Sequence, residues 1–106
     1  MNAEISFMDK CLRSKRRSDD MIVSQILGIC TTGAGKTRIL YQANLNSTRV
    51  NHFLGKLVKN GFITEVPHGA RILYKTTIKG EELKEKLDRL QNEIDELHTH
   101  LFKAEA

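Results

Sequence analysis

From residue 83 to residue 101 an apolar side chain returns at intervals of four, three, four, three and four: Leu83, Leu87, Leu90, Ile94, Leu97 and Leu101. That spacing keeps one narrow stripe on one side of a helix, the a/d seam of a coiled coil. At 1.5 Å per residue the stripe runs for roughly 28 Å. Around it stand Glu81, Glu82, Lys84, Glu85, Lys86, Asp88, Arg89 and Glu93, a mixed-charge surface suited to water. A seam so long and narrow exceeds what the body upstream of it can cover. It therefore predicts pairing with a second helix, and a homodimer joined through these six residues. A shorter seam would have favoured the alternative, a helix folded back on its own domain.

Upstream, Asn46 to Gly61 carries a second helical period. Val50, Phe53, Leu54, Leu57 and Val58 fall on one face. Asn46 or Ser47 can cap its start by accepting from an unpaired first-turn N–H. Asn60-Gly61 supplies a left-handed stop. The opposite face holds Thr48, Arg49, Asn51, His52, Lys56 and Lys59, with no carboxylate. Ordinary solvated faces mix both signs, whereas a cationic, hydrogen-bonding face suits a phosphate-lined groove.

The elements on either side give this helix its setting. Ser18-Asp19-Asp20 is a cap with acids at the positive end of a helix dipole. Met21, Ile22, Val23, Ile26, Leu27, Ile29 and Cys30 are dense enough to bury most of the helix that follows. Thr31 to Gly35 breaks it. A second helix from Lys36 or Thr37 to Ala43 turns Ile39, Leu40 and Ala43 inward, and Ala43 to Asn46 is a short turn into the third. Two helices so joined, the second capped and basic, form a helix-turn-helix pattern. After Gly61, residues 62–66 alternate as a strand, Pro67 to Arg71 is turn chemistry, and residues 72–77 form a second strand. This hairpin is a wing, with Arg71 and Lys75 at or near its tip. The fold class is thus α+β and mostly helical: a winged helix-turn-helix over 18–78, then a coiled-coil dimerisation helix over 79–106. Residues 1–17 show no convincing period and read as a flexible basic arm ending in Lys15-Arg16-Arg17.

Charge follows the same division. Net charge is +4, but residues 1–17 carry +3, residues 18–80 carry +5 and residues 81–106 carry −4. A basic body with an acidic tail predicts polyanion binding in the body and a different task for the tail. No apolar run approaches membrane-spanning length and no secretory leader is recognisable. Cys11 and Cys30, without a C-x-x-C arrangement, fit a reducing cytoplasm.

Several tempting signals fail on chemistry. Thr31-Thr32-Gly33-Ala34-Gly35-Lys36-Thr37 resembles a phosphate loop, but the first glycine of G-x-x-x-x-G-K-[ST] would fall on Cys30. His52, His68, His98 and His100 do not gather as metal ligands, and His98 and His100 point to different sides of a helix. His52 is expected as a groove-facing polar residue and His68 as a turn residue. Tyr41 and Tyr74 are expected as core or boundary side chains rather than stacking platforms, and only 6% of residues are aromatic. No catalytic arrangement, cofactor or metal is expected.

Lys36-Thr37-Arg38-Ile39-Leu40-Tyr41-Gln42-Ala43-Asn44-Leu45-Asn46 is followed by Leu54, Leu57, Asn60-Gly61-Phe62-Ile63, Tyr74-Lys75-Thr76-Thr77 and Lys79-Gly80. With the leucine-rich helix, this run resembles the archaeal winged-helix regulators, and among them the Sulfolobus-type ten-kilodalton (10a) DNA-binding proteins. The likeness spans about residues 18–103 and leaves out 1–17. It implies a long last helix paired antiparallel with a second subunit, a DNA-binding head at each end, and a chromatin or regulatory role.

The residues and the resemblance together predict a homodimer that binds double-stranded DNA as a transcription regulator or nucleoid component. Ser47, Thr48, Arg49, Asn51 and His52 would face bases or nearby backbone, since recognition helices read mostly with their first turns, and Asn46 beside them would belong to the DNA-binding set. Arg49 suits guanine O6/N7 and Asn51 suits adenine N6/N7. Lys36, Arg38, Lys56 and Lys59 would contact phosphates, with Arg71 and Lys75 reaching from the wing. A protein-interaction module on the same scaffold, or a nonspecific RNA binder, are the competing classes.

Overall fold

The computed structural model describes residues 18–105, so the expected basic arm over 1–17, Cys11 included, lies outside the described residues. Four helices and a hairpin follow in order: α1 (Asp19–Ile29), a 3-10 turn (Cys30–Thr32), α2 (Lys36–Ala43), α3 (Ser47–Lys59), β1 (Ile63–His68), β2 (Arg71–Thr76) and α4 (Ile78–Glu105).

The core is built from one face of each element. Ile22, Ile26, Leu27 and Cys30 come from α1 and its end, Ile39 and Ala43 from α2, and Val50, Phe53, Leu54 and Leu57 from α3. Ile63 and Tyr74 close it from the hairpin. Burying each large aliphatic side chain is worth about 1.5–3 kcal/mol, so this shared face holds three short helices that would be marginal alone. Met21 departs from the expected burial and is exposed. It sits one residue before Ile22, at the edge where α1 turns toward solvent.

The caps explain the boundaries. Ser18 Oγ accepts from Met21 N at 3.2 Å and starts α1. Asn44 ends α2 in the left-handed conformation, φ 55°, which asparagine tolerates better than most residues. Asn46 Oδ1 accepts from Arg49 N at 2.9 Å and starts α3. Gly61, at φ +81°, makes the turn out of α3.

The hairpin is antiparallel, with Ile63 opposite Thr76 at its base and His68 opposite Arg71 at its tip. The turn is shorter than the sequence suggested. Pro67 and His68 belong to β1, leaving a two-residue turn with Gly69 at φ +63°. Proline is tolerated because a two-stranded ribbon has only edges. Lys75 is correspondingly misplaced by the sequence reading. It pairs with Thr64, one step from the base, and is not at the tip. The segment 31–35, expected as a plain loop, contributes a third contact to the wing. Ala34 N donates to Tyr74 O at 3.0 Å and Tyr74 N to Ala34 O at 2.8 Å.

Thr76, buried, donates its hydroxyl to Leu27 O at 2.6 Å and fastens β2 to the end of α1. Thr77 then caps α4, its Oγ1 accepting from Gly80 N at 3.1 Å while donating to Gly61 O at 2.7 Å. The first turns of α4 lie against the head, and Leu83 packs on its core. Leu83 therefore serves its own chain's core, which differs from its expected place in the seam. Further along, Leu90, Ile94, Leu97 and Leu101 are exposed.

Candidate nucleic-acid interface

The outward side of α3 is the site that the fold offers. Its four buried residues leave Ser47, Thr48, Arg49, Asn51, His52, Gly55, Lys56 and Lys59 exposed, and no carboxylate lies on the helix. The start of the helix, where the first-turn N–H groups gather, adds positive potential at the same end. Asn46, read both as a possible cap and as a DNA contact, spends its side-chain oxygen on the cap.

The exposed side chains divide between two flanks. A shallow groove between α3 and the wing is lined by Lys36 from α2, Asn51, Gly55 and Lys59 from α3, and Glu65 from β1. Lys36, Asn51 and Lys59 are thus brought together. On the opposite flank, Arg49 Nη2 lies 3.5 Å from Asp19 Oδ1, and its guanidinium stands 5.5 Å from the centre of the Phe53 ring. His52 meets the same ring edge-on at 5.3 Å. Arg71 is exposed at the wing tip, and Lys75 is exposed near its base. Arg38 is exposed on α2 and is not among the residues that line the groove.

Sequence reasoning missed the two acids that approach this cationic face, Asp19 from α1 and Glu65 from β1. Neither carries a local signal, because each is far along the chain from the residues it neighbours. Tyr41 was expected at the core or its boundary, yet it is 76% exposed on α2; Tyr74 is buried. His68, read as a turn residue, ends β1 opposite Arg71.

Chemistry elsewhere is sparse. Burial pushes the Cys30 thiol up to about 11, against a smaller opposing pull from Arg38. It therefore stays a protonated core side chain at neutral pH. Among the described residues no three His, Cys, Asp or Glu gather that could hold a metal ion. No helix among them is long and apolar enough to cross a membrane.

Three helices, the third basic and held outward, and a two-stranded wing define a winged helix-turn-helix protein, and the winged helix-turn-helix family model matches residues 16–95. The chain belongs to that family. Among solved structures it is similar to Sso10a-2, a DNA-binding protein from Sulfolobus solfataricus, at 27% identity and a TM-score of 0.78. That alignment covers 84% of this chain and 94% of the other. MepR, a transcription regulator from Staphylococcus aureus, shares the fold at 16% identity and a TM-score of 0.63. There 76% of this chain is aligned, spanning 63% of MepR, less than two thirds. Sco5413, a MarR family transcriptional regulator from Streptomyces coelicolor, shares it at 19% identity and a TM-score of 0.65, with 88% of this chain and 75% of the other covered. No curated protein sequence matches.

Proposed function

We propose that this chain binds double-stranded DNA as a homodimer, in the cytoplasm, as a transcription regulator or nucleoid component and without enzymatic activity. The observation that carries the reading is the outward face of α3, exposed along its length, rich in cations and hydrogen-bonding side chains, and free of carboxylates of its own. The likeness to Sso10a-2, described as DNA-binding, supports it.

In this mechanism α3 enters the major groove. Thr48, Arg49, Asn51 and His52 meet base edges or adjacent backbone, and Lys36, Lys56 and Lys59 meet phosphates. Arg71 reaches the neighbouring backbone or minor groove from the wing tip, and Lys75 supports it nearer the base. Asn46 fixes the helix start, Ser47 beside it meets base edges or nearby backbone, and Arg38 adds positive field from α2. The exposed apolar row on α4 pairs with the same row of a second copy in antiparallel orientation. Two heads are thereby carried on one rod, and avidity multiplies a modest single-head affinity.

Titrating a labelled mixed-sequence duplex over a salt series tests the proposal. Several phosphate contacts predict a steep negative slope of log K against log salt. Absence of binding near about 50 mM salt would instead leave the scaffold as a protein-interaction module.

A further inference from the structure

Gly55 lies in the interior of α3, one turn beyond Asn51 and one turn before Lys59. Glycine is the poorest helix-interior residue after proline, because it has the most backbone freedom to lose. The other described glycines have evident reasons. Gly33, Gly61 and Gly69 sit at positive φ, and Gly80 is pressed against the backbone at Phe62. A Cβ on Gly28 would come within 3.0 Å of Lys84 Cε, and Gly35 is the non-helical cap of α2. Gly55 has none of these. It is not among the positive-φ glycines, and a Cβ built on it meets nothing within 4 Å.

The protein therefore leaves room for a side chain at the centre of the outward face of α3, and the sequence declines to fill it. Thr48, Asn51, His52, Lys56 and Lys59 surround the gap, and it opens onto the groove that Lys36 and Glu65 line. The geometry points to Gly55 as the place where the α3 backbone comes nearest to the duplex, a side chain being excluded by nucleic acid rather than by protein. The inference rests on the proposed DNA binding and adds the residue that sets how deeply the helix seats. Gly55 is a positioning residue. A methyl there holds the helix axis away and lengthens the contacts of Thr48, Asn51, His52 and Lys59 together. Hydrogen bonds lose strength steeply with such lengthening.

The test compares full-length wild type, Gly55→Ala and Gly55→Leu by thermal melting and by affinity for one fluorescein-labelled mixed-sequence duplex at low salt. Gly55→Ala raises Tm, since alanine is the better helix former, while affinity falls about tenfold, equivalent to weakening one or two hydrogen bonds. Gly55→Leu weakens binding further. Wild-type affinity in both variants would overturn the inference while leaving DNA binding intact. A lowered Tm in Gly55→Ala would also overturn it, by revealing a packing role. A folded wild type that fails to bind the duplex would overturn the proposed function itself, a result distinct from either.

Discussion

Arg49 Nη2 stands 3.5 Å from Asp19 Oδ1, joining the first turn of α3 to the first turn of α1 on the flank away from the wing. Both side chains are substantially exposed, 48% and 75%, so the pair is worth little to stability, about 0–1 kcal/mol. Its effect is positional, because the guanidinium proposed to read guanine is turned toward a carboxylate of its own chain. Asp19→Asn should therefore tighten duplex binding and change Tm by little. Fluorescence anisotropy beside thermal melting checks both; unchanged affinity would show that the contact opens at no cost on DNA.

Arg49 and Lys56 share a helix flank but should fail differently. Arg49→Ala should alter preference among sequences, by about 1–3 kcal/mol at one base pair. Lys56→Ala should weaken all sequences alike and flatten the salt dependence by about one unit of slope. A randomised-duplex selection read alongside a salt series separates them, and equal losses on every probe would remove Arg49 from base readout.

Gly80 is the tightest backbone approach in the head. A Cβ there would collide with Phe62 O and come within 2.7 Å of Thr76 Cγ2. Phe62 O is also held by Thr77 N at 3.0 Å, so the carbonyl cannot easily retreat. Gly80→Ala should lower stability by about 1–3 kcal/mol despite alanine's better helix propensity. In urea the midpoint should drop with an unchanged slope; an unchanged midpoint would show that α4 can slide off the wing.

α1 and α4 are joined by a polar cluster whose charge responds to acid. Lys84 Nζ donates to Asp88 Oδ2 at 2.7 Å, and Ser24 Oγ donates to Asp88 Oδ1 at 2.5 Å. Lys84 chiefly, and Ser24 next, hold the Asp88 carboxyl below its usual value of 3.8. The folded value lies under the unfolded one, so the stabilisation is full above the unfolded value and is lost as pH falls through the folded one. At neutral pH Asp88→Asn should cost no more than about 1 kcal/mol, because the pair is half exposed. Below the usual carboxylate range that gap should close. Melting wild type and Asp88→Asn from neutral pH into acid tests this, and parallel curves throughout would refute it.

How legible all this was in sequence depended on range. α3 and its cap were readable because a 3.6-residue period and an asparagine are local signals, and Val50, Phe53, Leu54 and Leu57 fill the core as their spacing demands. The short turn at Gly69 was hidden by Pro67, whose turn preference gives way where a ribbon leaves its missing N–H at an edge. The Ala34–Tyr74 bridge is a single residue pair, too short for any period. Asp19 near Arg49 and Glu65 across the groove were invisible for the same reason, since no spacing rule links residues so far apart. Gly55 breaks no period and fills no turn, so what marks it is the open space above it, which only the folded chain has.

The leucine stripe on α4 divides into a part that packs on its own head and a part left exposed, and mutations should tell them apart. Leu83 packs on the core of its own head. Leu90, Ile94, Leu97 and Leu101 remain 56%, 43%, 62% and 54% exposed in the single chain. Leu97→Asp therefore removes no intrachain packing, yet it places a charge in the seam of any paired helix. Light scattering should show a monomer at micromolar concentration, with helical content near that of wild type. Duplex affinity should fall by more than one head's share, since tethering of the second head is lost. Leu83→Ala should do the reverse, lowering Tm through lost core packing, by up to about 2 kcal/mol for a partly buried leucine, while the dimer persists at the same concentration. A full-length wild type that is already monomeric, or a Leu97→Asp variant that still dimerises, would mean that something other than a second copy of this helix covers the exposed row.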